Sequence, residues 1–150
     1  MVFEREQVLK DVISEVLETM FFAMVEFEDA EAGNHCFDYQ SEINLSNHDE
    51  RIVISLRVSE EFAAMISANF LGIEEVRISC EDMKDSLKEL VNMVGGGYHA
   101  QMNDSGWQLG IPTASEIGSK ITHATPEAVG INFAFFGEPA GSAFLRYSPA

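Results

Sequence analysis

Long hydrophobic runs are absent from this sequence of 150 residues. Its most apolar stretch near the N-terminus, residues 16–27, is interrupted by Glu18 and Glu26. The stretch therefore falls short of the roughly 18 apolar residues that a transmembrane helix needs. It also lacks the basic start of a signal peptide. These absences predict a cytoplasmic protein that does not insert into a membrane.

Basic residues are also scarce: nine Lys and Arg stand against 25 Asp and Glu, giving a formal net charge of −16. Nucleic acids and anionic membranes attract clusters of Lys and Arg, so we expect neither as a partner. An acidic surface favours a partner that presents a local positive charge. The charge alone does not identify that partner.

Cysteine is the third scarcity. Cys36 and Cys80 form neither a CxxC pair nor a disulfide framework, and we interpret them as buried or inert thiols in a reducing compartment. The histidines have no metal-ligand spacing. They are His35, His48, His99 and His123. We therefore expect this chain to bind no metal and no other cofactor.

Hydrophobic residues, by contrast, make up 46% of the chain, which is enough to fill one core. No linker, low-complexity tract or shift in composition divides the sequence. We therefore predict a single domain over residues 1–150.

Hydrophobic periodicity predicts three helices. The first covers residues 4–25, where apolar residues follow the i, i+3, i+4 spacing. The second begins after Ser59, a residue suited to capping a helix, and runs to about Leu71, with Gly72 as its stop. The third covers residues 81–103.

Alternating apolar residues and turn residues predict about six strands. Residues 36–45 and 52–58 form a hairpin around a polar turn. Four further segments follow the third helix, and the last two flank a turn at residues 137–141. These segments are 109–117, 120–124, 130–136 and 142–147. The order of the elements favours an α+β fold, with the helices on one face of an antiparallel sheet.

The third helix carries a polar stripe opposite its apolar face. Asp85, Glu89, Asn92 and Gly96 are spaced i, i+4, i+7 and i+11. One interpretation is an ordinary solvated surface. Asn92 and the triplet 95–97 are poor helix formers, however, so they also fit a surface that another protein approaches closely. The glycines alone fit a kink, an early helix end or tight packing equally well.

The first helix repeats this pattern. A shift of 74 positions places the stripe of the third helix on Asp11, Glu15, Glu18 and Phe22, and the apolar positions also coincide. The sequence thus suggests two pseudo-equivalent helices, with Glu18 standing where Asn92 stands in the other.

The D-xxx-E-xx-N motif that starts at Asp85 resembles the phosphatase motif of the CheC, CheX and FliY chemotaxis proteins. Residues 88–96 look like the CheX version of that helix, and residues 16–22 look like the first helix of CheX-like domains. Residues 109–113 resemble the Pro-containing segment after the motif helix. The resemblance implies two long pseudo-equivalent helices and a shorter one, packed on a roughly six-stranded antiparallel sheet.

The resemblance also implies a phosphatase of two-component signalling in chemotaxis, which removes phosphate from an aspartyl-phosphate on a CheY-like receiver domain of a response regulator. Asn92 would orient the attacking water, and Glu89 would pair with a lysine of the receiver. Met93 and Gly96 would contact the partner, as would Asp85, which also suits the helix dipole. Mg²⁺ is expected on the receiver, and a homodimer is the expected assembly.

Glu15 and Glu18 would form a degenerate second site, since relatives with two active helices carry Asn on both and the first helix here has none. An alternative is a non-catalytic module on the same fold that binds a receiver or resembles the flagellar switch. A third interpretation is a structural protein that associates through exposed strand edges such as residues 130–136.

Overall fold

The computed structural model describes residues 2–28, 36–104, 106–118 and 129–149. Three α-helices, one 3₁₀ helix and seven strands follow one another along these residues. In chain order they are α1 (Val2–Met20), β1 (Glu26–Glu28), β2 (Tyr39–Ser46), β3 (Glu50–Val58), α2 (Glu60–Leu71), the 3₁₀ helix (Glu75–Arg77), α3 (Cys80–Met102), β4 (Gln108–Leu109), β5 (Thr113–Glu116), β6 (Val129–Phe135) and β7 (Glu138–Pro149). Within these ranges, no helix has the length and apolar character needed to cross a bilayer.

The strands form one antiparallel sheet in the order β1-β6-β7-β3-β2-β4, and β5 also pairs with β2. The long strands β3 and β7 lie at its centre. The predicted α+β fold of helices on an antiparallel sheet is confirmed. β6 lies between β1 and β7, so the segment predicted at residues 130–136 is an internal strand and not a free edge.

The hydrophobic core lies between the helices and one face of the sheet. Successive side chains of a strand point to opposite faces, so alternate residues of β3 and β7 enter the core. Ile54 and Leu145 pair across these strands, and both are buried. The same core contains Ile13 of α1 and Leu87 of α3. The core therefore fixes which side of each helix remains exposed.

The first helix is shorter than the predicted range of residues 4–25, because α1 ends at Met20. The Ala23 amide donates a hydrogen bond to the Leu17 carbonyl oxygen at 3.0 Å, and Phe22 adopts a positive φ of 54°. Ala23 is buried although it lies beyond the helix, so the apolar pattern continues past the helix end. The chain then forms β1, a strand that the sequence pattern did not predict.

The second helix has the predicted caps. The Ser59 Oγ accepts a hydrogen bond from the Phe62 amide at 3.1 Å. α2 ends at Leu71, before Gly72, whose φ of 68° costs glycine little. The predicted hairpin of β2 and β3 is also confirmed, and the side chain of Asn47 holds its turn by accepting hydrogen bonds from two following amides.

The last hairpin has a tighter turn than predicted. The pattern placed the turn over residues 137–141, but it consists of Phe136 and Gly137, with φ values of 50° and 79°. β7 begins directly after these two residues. Gly141 lies within β7, and the ring of Phe133 packs against its backbone. A Cβ on Gly141 would lie 2.5 Å from Phe133 Cζ, so the packing needs a glycine there.

The remaining strand predictions have different outcomes. The segments at residues 130–136 and 142–147 are strands, as predicted. The segment at residues 120–124 lies outside the described residues. The strand predicted at residues 109–117 is divided into β4 and β5, both paired with β2.

Candidate functional site

The helix α3 begins at a reciprocal N-terminal cap. The Ser79 Oγ accepts a hydrogen bond from the Asp82 amide at 3.1 Å, and the Asp82 carboxylate accepts one from the Ser79 amide at 2.9 Å. This capping box satisfies two amides that the start of a helix otherwise leaves free. The helix bounds agree with the predicted range of residues 81–103 to within one residue.

Side-chain contacts also anchor the first turn of α3 to the sheet. The Cys80 Sγ donates a hydrogen bond to Glu116 Oε1 of β5 at 2.8 Å and lies 3.4 Å from the Tyr39 hydroxyl of β2. The hydrogen bond with Cys80 raises the pKa of Tyr39 above its usual value. Cys80 is thus held in a structural contact, whereas Cys36 is exposed, so burial does not protect the Cys36 thiol.

The polar stripe of α3 faces solvent. Asp85 and Glu89 are exposed, and Asn92 and Gly96 are partly exposed. Residues three apart on a helix are neighbours, with about 5–6 Å between their Cβ atoms, so Glu89 and Asn92 lie side by side. Met93 is half-buried and packs against the core, so only part of its side chain borders the stripe. One surface of α3 therefore presents these five residues.

The side chains of Glu89 and Asn92 are unengaged within the described part of the chain, where neither has a hydrogen-bond or ion-pair partner. A carboxylate attracts a cation, and a side-chain amide can both donate and accept hydrogen bonds. The pair can therefore bind a positively charged group and position a small polar molecule such as water. Across the same residues, no three His, Cys, Asp or Glu side chains form a group that could hold a metal ion.

The glycine triplet serves close packing. The helix continues through it to Met102, so the interpretation of an early end is wrong. A Cβ on Gly95 would lie 2.8 Å from Ile43 Cγ2, and a Cβ on Gly97 would lie 2.7 Å from Val12 Cγ1. These two glycines let α3 approach β2 and α1 closely.

The middle glycine, Gly96, differs from its neighbours because a Cβ there would meet no atom within 4 Å. It lies on the same stripe as Asn92, four residues further along the helix. The stripe therefore ends in a patch of bare backbone, which leaves room for another molecule beside the Asn92 side chain.

The first helix presents the matching surface without the amide. Asp11, Glu15 and Glu18 are exposed, and Phe22 is 72% exposed. The buried positions follow the frame of α3 as far as Leu17, but Met20 is 43% exposed where the matching Val94 is buried. α1 ends at Met20, however, so the surface continues as a helix for only two residues after Glu18.

The segment after α3 contains a feature that the sequence reasoning missed. Leu45 of β2 pairs with Leu109, and Glu42 pairs with Thr113. Between these pairs, the three residues 110–112 oppose only two residues of β2. One extra residue opposite a strand is a β-bulge, which bends the strand and redirects a side chain.

The bulge exposes Ile111, whose side chain is 86% accessible. Gly110 holds the bulge against the sheet, since its amide donates to the Asn44 carbonyl oxygen at 2.7 Å. A Cβ on Gly110 would lie only 3.0 Å from that oxygen. Gly110 and Pro112 within a strand pattern were the signal that could have revealed the bulge.

Comparison with known proteins places this site in context. The family model described as "Chemotaxis phosphatase CheX" matches residues 39–135. Among solved structures, the chemotaxis protein CheX from Vibrio vulnificus has a TM-score of 0.81 and 20% identity, covering 97% of this chain and 99% of that chain. A search of curated proteins gave no match.

Two further structures show the same fold. A CheC-like superfamily protein from Shewanella sp. PV-4 has a TM-score of 0.75 and 18% identity, covering 97% of each chain. CheX from Borrelia burgdorferi, solved as a CheX–CheY complex with BeF3 and Mg²⁺, has a TM-score of 0.75 and 15% identity, covering 94% of this chain and 96% of that chain. Identities this low establish a common fold, while the family model adds the sequence relationship.

Proposed function

Because the chain belongs to the CheX family of chemotaxis phosphatases, we propose that it hydrolyses the aspartyl-phosphate of a CheY-like receiver domain. The observation that carries this proposal is the solvent-facing, unengaged pair of Glu89 and Asn92 on one helix surface with the bare backbone of Gly96. Such a surface allows another protein's phosphorylation site to approach α3 closely. The net charge of −16 favours a receiver that presents a lysine.

In this proposal Asn92 positions the attacking water. The water oxygen attacks phosphorus, and the bond between phosphorus and the aspartyl oxygen breaks, giving inorganic phosphate and a free carboxylate. The Asn92 Oδ1 accepts a hydrogen bond from the water and so directs a water lone pair toward phosphorus. An amide is not a base, so both protons of the water leave with the phosphate. Asn92 therefore acts through orientation, which can supply a large share of a rate enhancement.

Glu89 sets the register of the two proteins. Its carboxylate pairs with a lysine of the receiver, which fixes where Asn92 enters the partner's site. Asp85, Met93 and Gly96 complete the contact surface along the same helix. When bound to the receiver, Mg²⁺ offsets negative charge on the phosphoryl oxygens. The complex of B. burgdorferi CheX with CheY, BeF3 and Mg²⁺ supports a receiver as the partner of this chain.

The first helix contributes no catalysis in this proposal. Glu15 and Glu18 offer carboxylates only, and a carboxylate cannot donate a hydrogen bond when ionised. The two carboxylates of α1 would also repel the negative phosphoryl group of a receiver, and α1 has no amide to position the water. Glu15 and Glu18 thus remain as a degenerate counterpart of the active pair.

A homodimer is a further proposal, drawn from the family resemblance. Because β6 is paired on both sides, the edges that remain among the described strands are β1 and the β4 and β5 side. Size-exclusion chromatography with light scattering would give the mass in solution. A mass near twice 16.6 kDa would support the dimer, and a mass near 16.6 kDa would contradict it.

The test of the phosphatase is a direct assay. A CheY-like receiver from the same genome is phosphorylated with acetyl phosphate in the presence of Mg²⁺, and phosphate loss is followed with and without this protein. We expect wild type to accelerate the loss and Asn92→Ala to lower the rate about 100-fold or more. Glu89→Ala should cost roughly ten-fold through weaker docking, since it removes one charge-assisted contact. Glu28→Ala, an exposed change on β1, serves as the matched control.

Two outcomes would overturn different parts of this proposal. Equal acceleration by wild type and Asn92→Ala would move the active residue elsewhere. Binding of the phosphorylated receiver with no acceleration would instead leave a non-catalytic receiver-binding module as the better account.

A further inference from the structure

The β-bulge at residues 110–112 presents an apolar side chain that the fold does not need for its own core. Ile111 is 86% exposed, although isoleucine is among the residues most often buried. The residues on both sides of the bulge pair with β2, so the segment is held at each end. Ile111 is therefore a fixed apolar projection and not the tip of a free loop.

The backbone around Ile111 is restricted as well. The hydrogen bond from the Gly110 amide to Asn44 fixes the residue before it, and the ring of Pro112 fixes the φ angle of the residue after it. Isoleucine itself has few side-chain rotamers, because it branches at Cβ. A side chain held in this way loses little conformational entropy when a partner covers it.

The bulge lies beside the candidate site. The side chain of Leu109, the residue that precedes the bulge, contacts α3 at Gly95, where a Cβ would lie 3.1 Å from Leu109 Cδ1. Gly95 follows Asn92 by three residues, which is less than one turn of the helix. The bulge therefore lies at the side of α3, within one turn of Asn92 along the helix.

We propose that Ile111 is an apolar anchor through which this surface docks the receiver domain, an inference that rests on the function proposed above. A protein interface of standard size covers roughly 800 Å² on each partner, far more than a single helix stripe. A receiver that brings its phosphorylated aspartate to Asn92 therefore also covers the bulge. For Glu89 to bind the receiver's lysine while Ile111 is covered, an apolar part of the receiver must lie next to that lysine. Ile111 then contributes to affinity and not to the chemical step.

The test separates affinity from chemistry. Phosphate release is measured over a range of concentrations of phosphorylated receiver for wild type, Ile111→Ser and Ile111→Leu. We expect Ile111→Ser to raise KM about ten-fold, as the loss of an interface anchor does, with kcat within about two-fold of wild type. Ile111→Leu, which keeps an apolar side chain of equal size, should restore KM to within about three-fold.

The control is Phe136→Ser, which removes an equally exposed apolar side chain, 88% accessible, at the β6–β7 turn. That turn is three to four strand spacings away across the sheet, or roughly 14–19 Å at the usual spacing. We expect its KM to equal that of wild type. Circular dichroism and denaturation midpoints confirm that each variant is folded.

Failure of this inference and failure of the proposed function give different results. Turnover with the same KM for wild type and Ile111→Ser would overturn the anchor and leave the phosphatase intact, and the bulge would then serve only to protect the sheet edge. If wild type gives no turnover, Kd is measured with the receiver loaded with beryllofluoride. A ten-fold weaker Kd for Ile111→Ser would then support the anchor without catalysis, whereas equal Kd values, or no binding by wild type, would overturn it.

Discussion

The first and third helices share a frame of buried positions but differ where they meet solvent. α3 continues past its Asn92 to Met102, and its Gly96 leaves bare backbone. α1 ends two residues after Glu18, and the exposed Phe22 stands at the position that matches Gly96. The core enforces the shared frame, because each helix must bury one side against the same sheet. Exposed positions have no such constraint, so only one of the two helices presents a candidate active surface.

The largest effect should follow from giving α3 the bulky residue of α1. A Cβ at Gly96 meets no atom of this chain within 4 Å, and the residue is partly exposed, so the fold should tolerate Gly96→Phe. The ring would stand beside Asn92 and hold the receiver away, and a displacement of about 1 Å can cost about 100-fold in rate. We expect kcat/KM in the phosphatase assay to fall by about that factor. Gly96→Ala is the control, and activity loss in the alanine variant equal to that in the phenylalanine variant would contradict the steric reason.

Alanine substitutions at Gly96 and Gly97 should change the free energy of unfolding in opposite directions. Gly96→Ala should raise the free energy of unfolding by about 1 kcal/mol, because alanine favours the helix and its Cβ meets open space. Gly97→Ala should lower it by about 1–2 kcal/mol, since its Cβ would lie 2.7 Å from the stiff side chain of Val12 and overpacking costs more than propensity returns.

Urea denaturation at equilibrium measures both changes. Combining Gly97→Ala with Val12→Ala should cost less than the sum of the two single changes, because the smaller side chain removes the clash. Additive free energies, or a stabilising Gly97→Ala, would show that α1 and α3 do not pack as described.

A smaller effect is expected at the end of α1. Phe22 has a positive φ of 54°, a conformation that costs a non-glycine residue about 1 kcal/mol. Phe22→Gly should therefore be more stable than Phe22→Ala by about that amount, since both lack the exposed ring and only glycine relieves the strain. Thermal unfolding of the two variants gives the comparison, and equal midpoints would mean that the backbone is not strained there.

The smallest effect should come from repairing the motif of α1. Glu18→Asn restores an amide at the matching position, but the helix ends at Met20 and the patch that Gly96 provides is occupied by Phe22. In an Asn92→Ala background we expect no recovered turnover in the phosphatase assay. Recovery to more than a tenth of the wild-type rate would mean that neither Phe22 nor the end of the helix prevents α1 from acting, and that the change at position 18 alone inactivates it.

Local patterns predicted much of this fold because local physics decides those parts. Ser59 and Gly72 bound α2 as expected, since a side-chain cap and a left-handed residue act within one turn. The predicted end of α1 was wrong, because buried residues beyond Met20 continue the apolar pattern although the backbone there is no longer helical. β1 was missed because three residues are too few to show an alternating pattern. Its formation depends on tertiary pairing with β6, which lies far away in the sequence.

The candidate site was also predictable only in part from local sequence patterns. Helical spacing placed Glu89 and Asn92 on one exposed surface, and burial of the opposite side of α3 agrees with that prediction. Ile111 was missed because a bulge appears only when two strands are compared residue by residue, and its partner β2 lies far earlier in the sequence. The roles of Gly95 and Gly97 were undecided for a similar reason, since they depend on the side chains of other elements.

The position of β7 has a consequence for synthesis of the protein. β7 joins β3 to β6 in the middle of the sheet, yet it follows β3 by the whole stretch from Val58 to Glu138. While a ribosome is still making that stretch, β3 pairs only with β2 and exposes its other edge. The sheet is therefore complete only after β7 has been made, and until then the open edge of β3 is exposed to pairing with a wrong strand.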